Sequence, residues 1–316
     1  MQSRPSLKLI SAALACGLAL PAWADKSALE PQLSDPYEFD ISRFIDVLNF
    51  RAVYSSGMEL DNSPVEFDFT ELSLAAFLTK PLKLGGDWSA IAYLNFEASQ
   101  FEFDGNPPIG TVIDDIESDL YRIGVPIVVL NTSANSPWSY GAWISPSISS
   151  DFDHVDSDDF FLDVAIAAAY QVNDKLLVGG GVFASDILHD PFVIPGIGFV
   201  WTPREDWLVS FYGPRFVARR DINDRNQIGF EITNNGGLWN IDSGNASRRL
   251  DFSSWRSGLY YRYNVAGEIW LHAAAGFTFA NELQVQTRDG TDLFPNQLGD
   301  ADPSPYVSLG ISLARW

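Results

Sequence analysis

The sequence predicts an all-β chain folded as a single up-and-down antiparallel transmembrane β-barrel of 14 strands, with 12 as the alternative count. Three observations predict it. Segments of about ten residues or more alternate apolar side chains with polar or small ones at period two. The connections between these segments fall into a short class and a long class, and the two classes alternate. The chain ends on the strand-like stretch "YVSLGISLARW", in which Val307, Leu309, Ile311 and Leu313 form one row and Tyr306, Ser308, Gly310, Ser312 and Ala314 the other.

The elements follow in chain order. Residues 1–24 carry Arg4 and Lys8, then the apolar run "LISAALACGLAL", then Ala22-Trp23-Ala24. This is the pattern of a secretory signal peptide with cleavage before Asp25. Cys16, the single cysteine, lies inside it, so the mature chain is expected to lack disulfides, thiol catalysis and cysteine-held zinc. Residues 25–43 read as a periplasmic N-terminal segment long enough to fold into the barrel mouth, and 44–316 as the barrel. Strands are expected near 45–60, 65–79, 87–103, 116–130, 137–150, 159–172, 175–185, 192–202, 206–212, 215–221, 226–241, 250–263, 268–282 and 304–316.

Three of these segments show the alternation plainly. In "FFLDVAIAAAYQV", Leu162, Val164, Ile166, Ala168 and Tyr170 oppose Asp163, Ala165, Ala167, Ala169 and Gln171. In "WRSGLYYRY", Trp255, Leu259, Tyr261 and Tyr263 oppose Arg256, Gly258, Tyr260 and Arg262. In "GEIWLHAAAGFTFA", Ile269, Leu271, Phe277 and Phe279 oppose Glu268, Trp270, His272, Gly276 and Thr278. An apolar row tipped with aromatics over a small or polar row is the signature of a lipid-facing wall around a polar interior. The stretch 206–221 is split at Gly213-Pro214, because proline is excluded from ladder interiors. Read as one bent strand it leaves an odd count, which is how 12 arises.

The short connections are 80–86, "NTSANS", Asn173-Asp174, Pro203-Arg204-Glu205, 222–225 and 264–267. The long ones are 104–115, 151–158, 186–191, 242–249 and 283–303. Acidic residues gather in the long class, so with both chain ends in the periplasm the outer loops are acidic. The whole chain has 41 acidic and 20 basic residues, a formal net charge of −21. That balance argues against nucleic acid as a partner, since phosphate binding needs basic side chains. A 14% aromatic content with ten tryptophans is too rich for a disordered chain. No apolar run of about 18 residues follows the leader, so a membrane-spanning helix is not expected.

The terminal strand with its final aromatic resembles the sorting signal by which outer-membrane barrels engage their assembly machinery, although Arg315 stands where an aromatic is usual. The region from about 116 to 282 also resembles an uncharacterised family of bacterial proteins described only as outer-membrane β-barrels. The resembling stretches are "SPWSYGAWISPSISSDF", "FYGPRFVARRDINDRNQIGFEI" and "NNGGLWNI". The resemblance implies a fold and a location in the outer membrane, with outer-membrane lipid and lipopolysaccharide as neighbours, and it implies no activity.

Function is read from the inner face. By alternation the lumen candidates are Arg51, Glu59, Glu71, Arg122, Asp163, Glu231, Arg256, Arg262, Glu268 and His272. Both signs are present, which suits either a water-filled path or a salt-bridged, sealed core. The leading expectation is a passive pore or uptake channel for small polar or cationic solutes, helped by acidic loops that concentrate cations. The alternatives are a hydrolase of lipid or peptide built on His154 or His189, and a closed structural or adhesive barrel. Ser185 is the only hydroxyl adjacent to His189 and no G-x-S-x-G motif appears, so no catalytic residue is assigned. The loop "SDFDHVDSDDF" offers Asp151, Asp153, Asp156 and Asp158 to a loosely bound divalent cation. It fails the EF-hand pattern, because Val155 and Leu162 occupy ligand positions and Asp156 the glycine position. No cofactor is expected.

Overall fold

The computed structural model describes residues 46–61, 63–104, 116, 119–133, 135–188, 191–243, 246–287, 291–294 and 298–314. The signal peptide, segment 25–43, His189 and Trp316 lie outside the described residues. No helix among those described is long and apolar enough to cross a membrane.

The strands form one closed antiparallel barrel. In chain order they are β1 (Leu48–Glu59), β2 (Glu66–Phe77), β3 (Trp88–Asp104), β4 (Leu120–Thr132), β5 (Trp138–Ser150), β6 (Phe160–Asn173) and β7 (Leu176–Ser185). Then come β8 (Phe192–Trp201), β9 (Trp207–Tyr212), β10 (Arg215–Asn223), β11 (Asn226–Ser243), β12 (Ala246–Ala266), β13 (Ile269–Thr287) and β14 (Pro305–Leu313). β4 is a single barrel strand interrupted at Val125-Pro126, where proline has no N–H to give the ladder. Two further pieces, Leu82–Gly85 and Gly299–Ala301, pair beside β3 and β13 without adding to the wall. The count is therefore 14, and the 12-strand alternative falls. Gly213-Pro214 separates β9 from β10, with Gly213 at a φ of +52 that suits glycine.

Closure is made by β1 against β14, from Leu48 opposite Leu313 to Ser55 opposite Tyr306. The last strand, β14, therefore completes the sheet against the first. The outer face is apolar: Ile197, Leu309, Ile166, Leu259 and Phe277 are all more than 60% exposed. Trp88, Trp138, Tyr140, Tyr170, Trp201 and Tyr263 ring the end at which β1 starts and β14 finishes. A soluble protein would not leave such a band uncovered, whereas a bilayer covers it.

Two expectations about elements need correction. Within 242–249, residues 242, 243 and 246–249 are strand, in a ladder between Asn226–Ser243 and Ala246–Ala266 that reaches Ser243 opposite Ala246; 244 and 245 lie outside the described residues. The stretch that begins the 283–303 loop is likewise still strand, to Thr287. The wall is consequently uneven. β11, β12 and β13 have 18, 21 and 19 residues, while β9 has six. A tilted strand needs about 9–11 residues to cross a bilayer, so at β9 the wall is lower than the membrane is thick.

Candidate functional site

The inner face divides into two sides. Along β9 to β14 and β1 to β2 the interior is filled by buried ion pairs. Arg51 Nη2 lies 2.9 Å from Glu231, and Arg215 reaches the other oxygen of the same carboxylate at 3.3 Å. Arg256 pairs with Glu71, both fully buried, and its guanidinium lies over the rings of Phe69 and Tyr306 at 6.0 and 5.9 Å. Arg262 bonds Asp46 at 3.3 Å and Ser312 at 2.7 Å, and Arg219 pairs with Asp221 at 3.0 Å. Burial pushes the Asp46 carboxyl above its ordinary range, and the Arg262 guanidinium pulls against it. His272 packs against the Tyr260 ring at 5.6 Å. Charges this deep are tolerated only in pairs, because desolvating a lone ion costs several kcal/mol.

Along β3 to β8 the inner face is different. Arg122 bonds Asp163 at 3.2 Å, and Asp163 also accepts from Ser185 and from the Asp186 backbone. Around them stand Asn95, Ser145, Ser147 and Gly124, which line a small polar hollow. Further along β6, β7 and β8 the inward positions are Ala165, Ala167, Ala169, Gly179, Gly181, Gly196 and Gly198. Small side chains there leave room that large ones fill on the opposite side.

Toward the loop end, the lumen is stopped by side chains of the wall itself. Phe67, Phe69, Phe101, Phe103, Phe252 and Trp239 meet there with Met58, Leu250, Leu283 and Val285, all buried. The Phe101 ring lies 4.9 Å from Phe69 and 5.2 Å from Phe252. No residue of β5 to β10 belongs to this apolar stopper. The reason is that the upper part of β11 leaves the line of β10 and crosses to β5. Ser149 Oγ donates to the Leu238 carbonyl at 2.7 Å, Asp151 N to the Asn240 carbonyl at 3.3 Å, and Asn240 Nδ2 to Asp159 at 2.9 Å. This polar latch pinches the loop end of the barrel and leaves the tops of β6, β7 and β8 outside the pinch.

A gap in the wall follows from the same geometry. β8 pairs with β9 only over Gly198–Trp201, so residues 192–197 have no ladder partner on that side. β10 pairs with β11 only as far as Thr233, and Asn234 N donates to the Pro214 carbonyl at the tip of the low hairpin. Above that tip the edges of β8 and β11 part. A cavity of about 580 Å³ occupies the opening, bounded by Ala167, Gly196, Ile194 and Tyr212 within and by Asn234 and Trp255 at its outer rim.

Most of the lumen candidates come together in pairs: Arg51 with Glu231, Glu71 with Arg256, and Arg122 with Asp163. Two do not sit as expected. Glu268 is in the turn before β13, half buried, with no strand to aim it inward. Glu59 faces outward, because a bulge between Ser55 and Met58, with Gly57 at a φ of +71, shifts the alternation by one residue and buries Met58 instead. Missed were Asp46, Arg215, Arg219, Asp221 and the Arg249–Asp186 pair at 3.1 Å. The period-two run Arg215, Val217, Arg219, Asp221 carried the signal for three of them.

The loop candidates serve the backbone. Asp151 accepts from Asp153 N, Asp156 from Asp158 N and Asp159 from Asp156 N, closing a capping box on the short helical turn Ser157–Asp159. Among the described residues no three histidine, cysteine or acidic side chains converge on a metal position. His154 is exposed in that loop.

Solved structures give loose likenesses. The "TodX monoaromatic hydrocarbon channel deltaS2 mutant" is 11% identical over 93% of this chain and 97% of its own, with a TM-score of 0.46. A "Pseudomonas aeruginosa FadL homologue" is 11% identical over 97% and 99%, at 0.35, and Pseudomonas putida OprB is 9% identical over 91% and 96%, at 0.34. Superpositions this loose carry no argument about what passes through the chain, and the architecture rests on the strand pairing. No curated protein matches the sequence. Over residues 116–314, more than half of the chain, the match is to the model described as "Domain of unknown function (DUF6268)", and the chain belongs to that family.

Proposed function

We propose that the protein is a passive channel of the outer membrane, shut in this conformation by its own wall. The observation that carries the reading is the latch. The stopper is made of side chains on the barrel strands, and the strand that closes one flank of it, β11, is held to β5 chiefly by a few polar contacts around Ser149, Asn240 and Asp159. Hydrogen bonds of this kind contribute about 0.5–1.5 kcal/mol each. A motion that breaks them moves β11 back toward β10 and opens the lumen beside the polar side chains of Asn95, Arg122, Ser145, Ser147 and Asp163. That path suits small polar solutes, and the acidic loops around Asp151 to Asp158 favour cations among them.

Planar-bilayer recording tests it. Wild type is expected to be mostly silent with rare openings, and Ser149→Ala with Asn240→Ala to open at least tenfold more often, with a cation-selective reversal potential in a salt gradient. A correctly folded double variant as silent as wild type would remove the latch and, with it, the channel reading.

A further inference from the structure

The opening between β8 and β11 has a chemistry of its own. Its lining holds no charged side chain; the polar side chains are those of Tyr212, Asn234 and Trp255, while the rest is Ala, Gly, Ile, Leu, Val, Phe and Pro. Its side chains offer water few partners, and the polar strip along it is the backbone edge of residues 192–197, which has no ladder partner on that side. The volume, about 580 Å³, lies within the usual range of about 300–1,000 Å³ for small-molecule sites. An apolar cavity of about 150 Å³ already takes benzene.

The cavity also has two sides. Ile194 faces inward, since it stands opposite Phe183, whose ring packs against the inner Trp143. Phe192 has the same orientation, opposite Ser185. Yet Phe192 and Ile194 are 63% and 41% exposed, because the pinch has drawn β11 away from them toward β5. One mouth therefore faces the loop end along Phe192 and Ile194. The other passes over Gly213-Pro214 to the outer face of β11 and β12, where Asn234 and Trp255 stand. β9, with six residues, places this second mouth within the depth of the bilayer.

We propose that this opening is a binding and transit site for small uncharged apolar molecules, which enter at the loop end and leave sideways into the lipid without passing the stopper. The proposal rests on the chain being an outer-membrane channel and names a second solute class for it. An acyl chain of a bilayer lipid would need only the lateral mouth. The inward extension along Ala165, Ala167 and Gly196 and the exposed loop-end mouth are what a transiting solute uses.

Gly196 supplies the test. A Cβ built there meets nothing within 4 Å, so Gly196→Leu fills the cavity without striking the backbone. The probe is 1-bromonaphthalene, a heavy-atom quencher, added to the purified protein in detergent. Wild-type tryptophan fluorescence is expected to fall saturably, Trp255→Phe to lose the saturable part, and Gly196→Leu to weaken binding at least tenfold. Ala167→Val is the second filling variant, and gel mobility before and after heating verifies that each barrel is folded. Unsaturable quenching in wild type, or binding unchanged in both folded filling variants, overturns the proposal. So does equal saturable quenching by brominated-chain phosphatidylcholine that displaces the probe, which would make the site a lipid groove. Quenching reads the pocket whether or not current flows. A silent latch variant with intact probe binding would thus sink the channel reading and leave the site.

Discussion

The two sides of the lumen solve the same problem in opposite ways. A barrel of 14 strands encloses more space than aliphatic side chains fill easily. Along β9 to β14 the space is taken by arginines, tyrosines and carboxylates locked in pairs, and Arg219, Arg256, Tyr260 and Tyr306 are among the largest fully buried side chains of the described residues. Along β6 to β8 it is left open by alanine and glycine. The packed side holds shape; the open side holds the cavity and the low wall. Rigidity on one side lets the other remain incomplete without the barrel losing its closure at β1 and β14.

The largest effect expected from this contrast comes from breaking one partner of a buried pair. Arg256→Met leaves Glu71 buried without its cation and should lower unfolding stability by about 3–5 kcal/mol, read from the urea midpoint of the protein in lipid vesicles. Adding Glu71→Leu should restore most of it, because a buried pair replaced by apolar groups is often neutral. If Arg256→Met alone is harmless, the packed side does not hold the barrel as argued. Next in size is the stopper. Phe101→Ala removes a ring that touches Phe67, Phe69, Phe103, Trp239 and Phe252, and should cost about 3 kcal/mol while adding conductance at the loop end. A stability loss with no added conductance would mean that the stopper is core only.

Much of this was legible in the sequence, and the limits have physical causes. The faces of β6, β12 and β13 were readable because lipid outside and a polar interior inside impose strict period-two selection. Part of the inward charge was readable for the same reason, although Arg215, Arg219 and Asp221 share the same period and were passed over. Who pairs with whom was not readable, since Arg51 meets Glu231 from 180 positions away through barrel closure, which leaves no local trace. The bulge at Gly57 was hidden because one inserted residue changes phase without changing composition. The strand residues 242, 243 and 246–249 were read as loop because the stretch "DSGNASRR" has no apolar row to alternate with its polar one. The latch at Ser149 and Asn240 was missed with them, since it depends on how far β11 rises.

Glycine gives the finest probe of the contrast, because the same substitution can be made on both sides. On the packed side, a Cβ at Gly229 would lie 2.4 Å from the Tyr260 ring and 2.6 Å from the Ala218 carbonyl. The ring is buried in one cluster with Val53, Leu208, Val217 and Tyr306 and packs against His272, so it has little room to retreat. Gly229→Ala should therefore destabilise by about 1–3 kcal/mol, the usual range for overpacking. On the open side a Cβ at Gly196 meets no atom within 4 Å, and the backbone there is not in the left-handed region. Gly196→Ala should be neutral or stabilise by about 0.4–1 kcal/mol, through the entropy it removes from the unfolded chain. Opposite signs from one added methyl group, measured by the same urea titration, would show that the lumen is asymmetric by construction. Equal costs would mean that the open side is packed in solution, and the cavity at β8 would have to be given up with it.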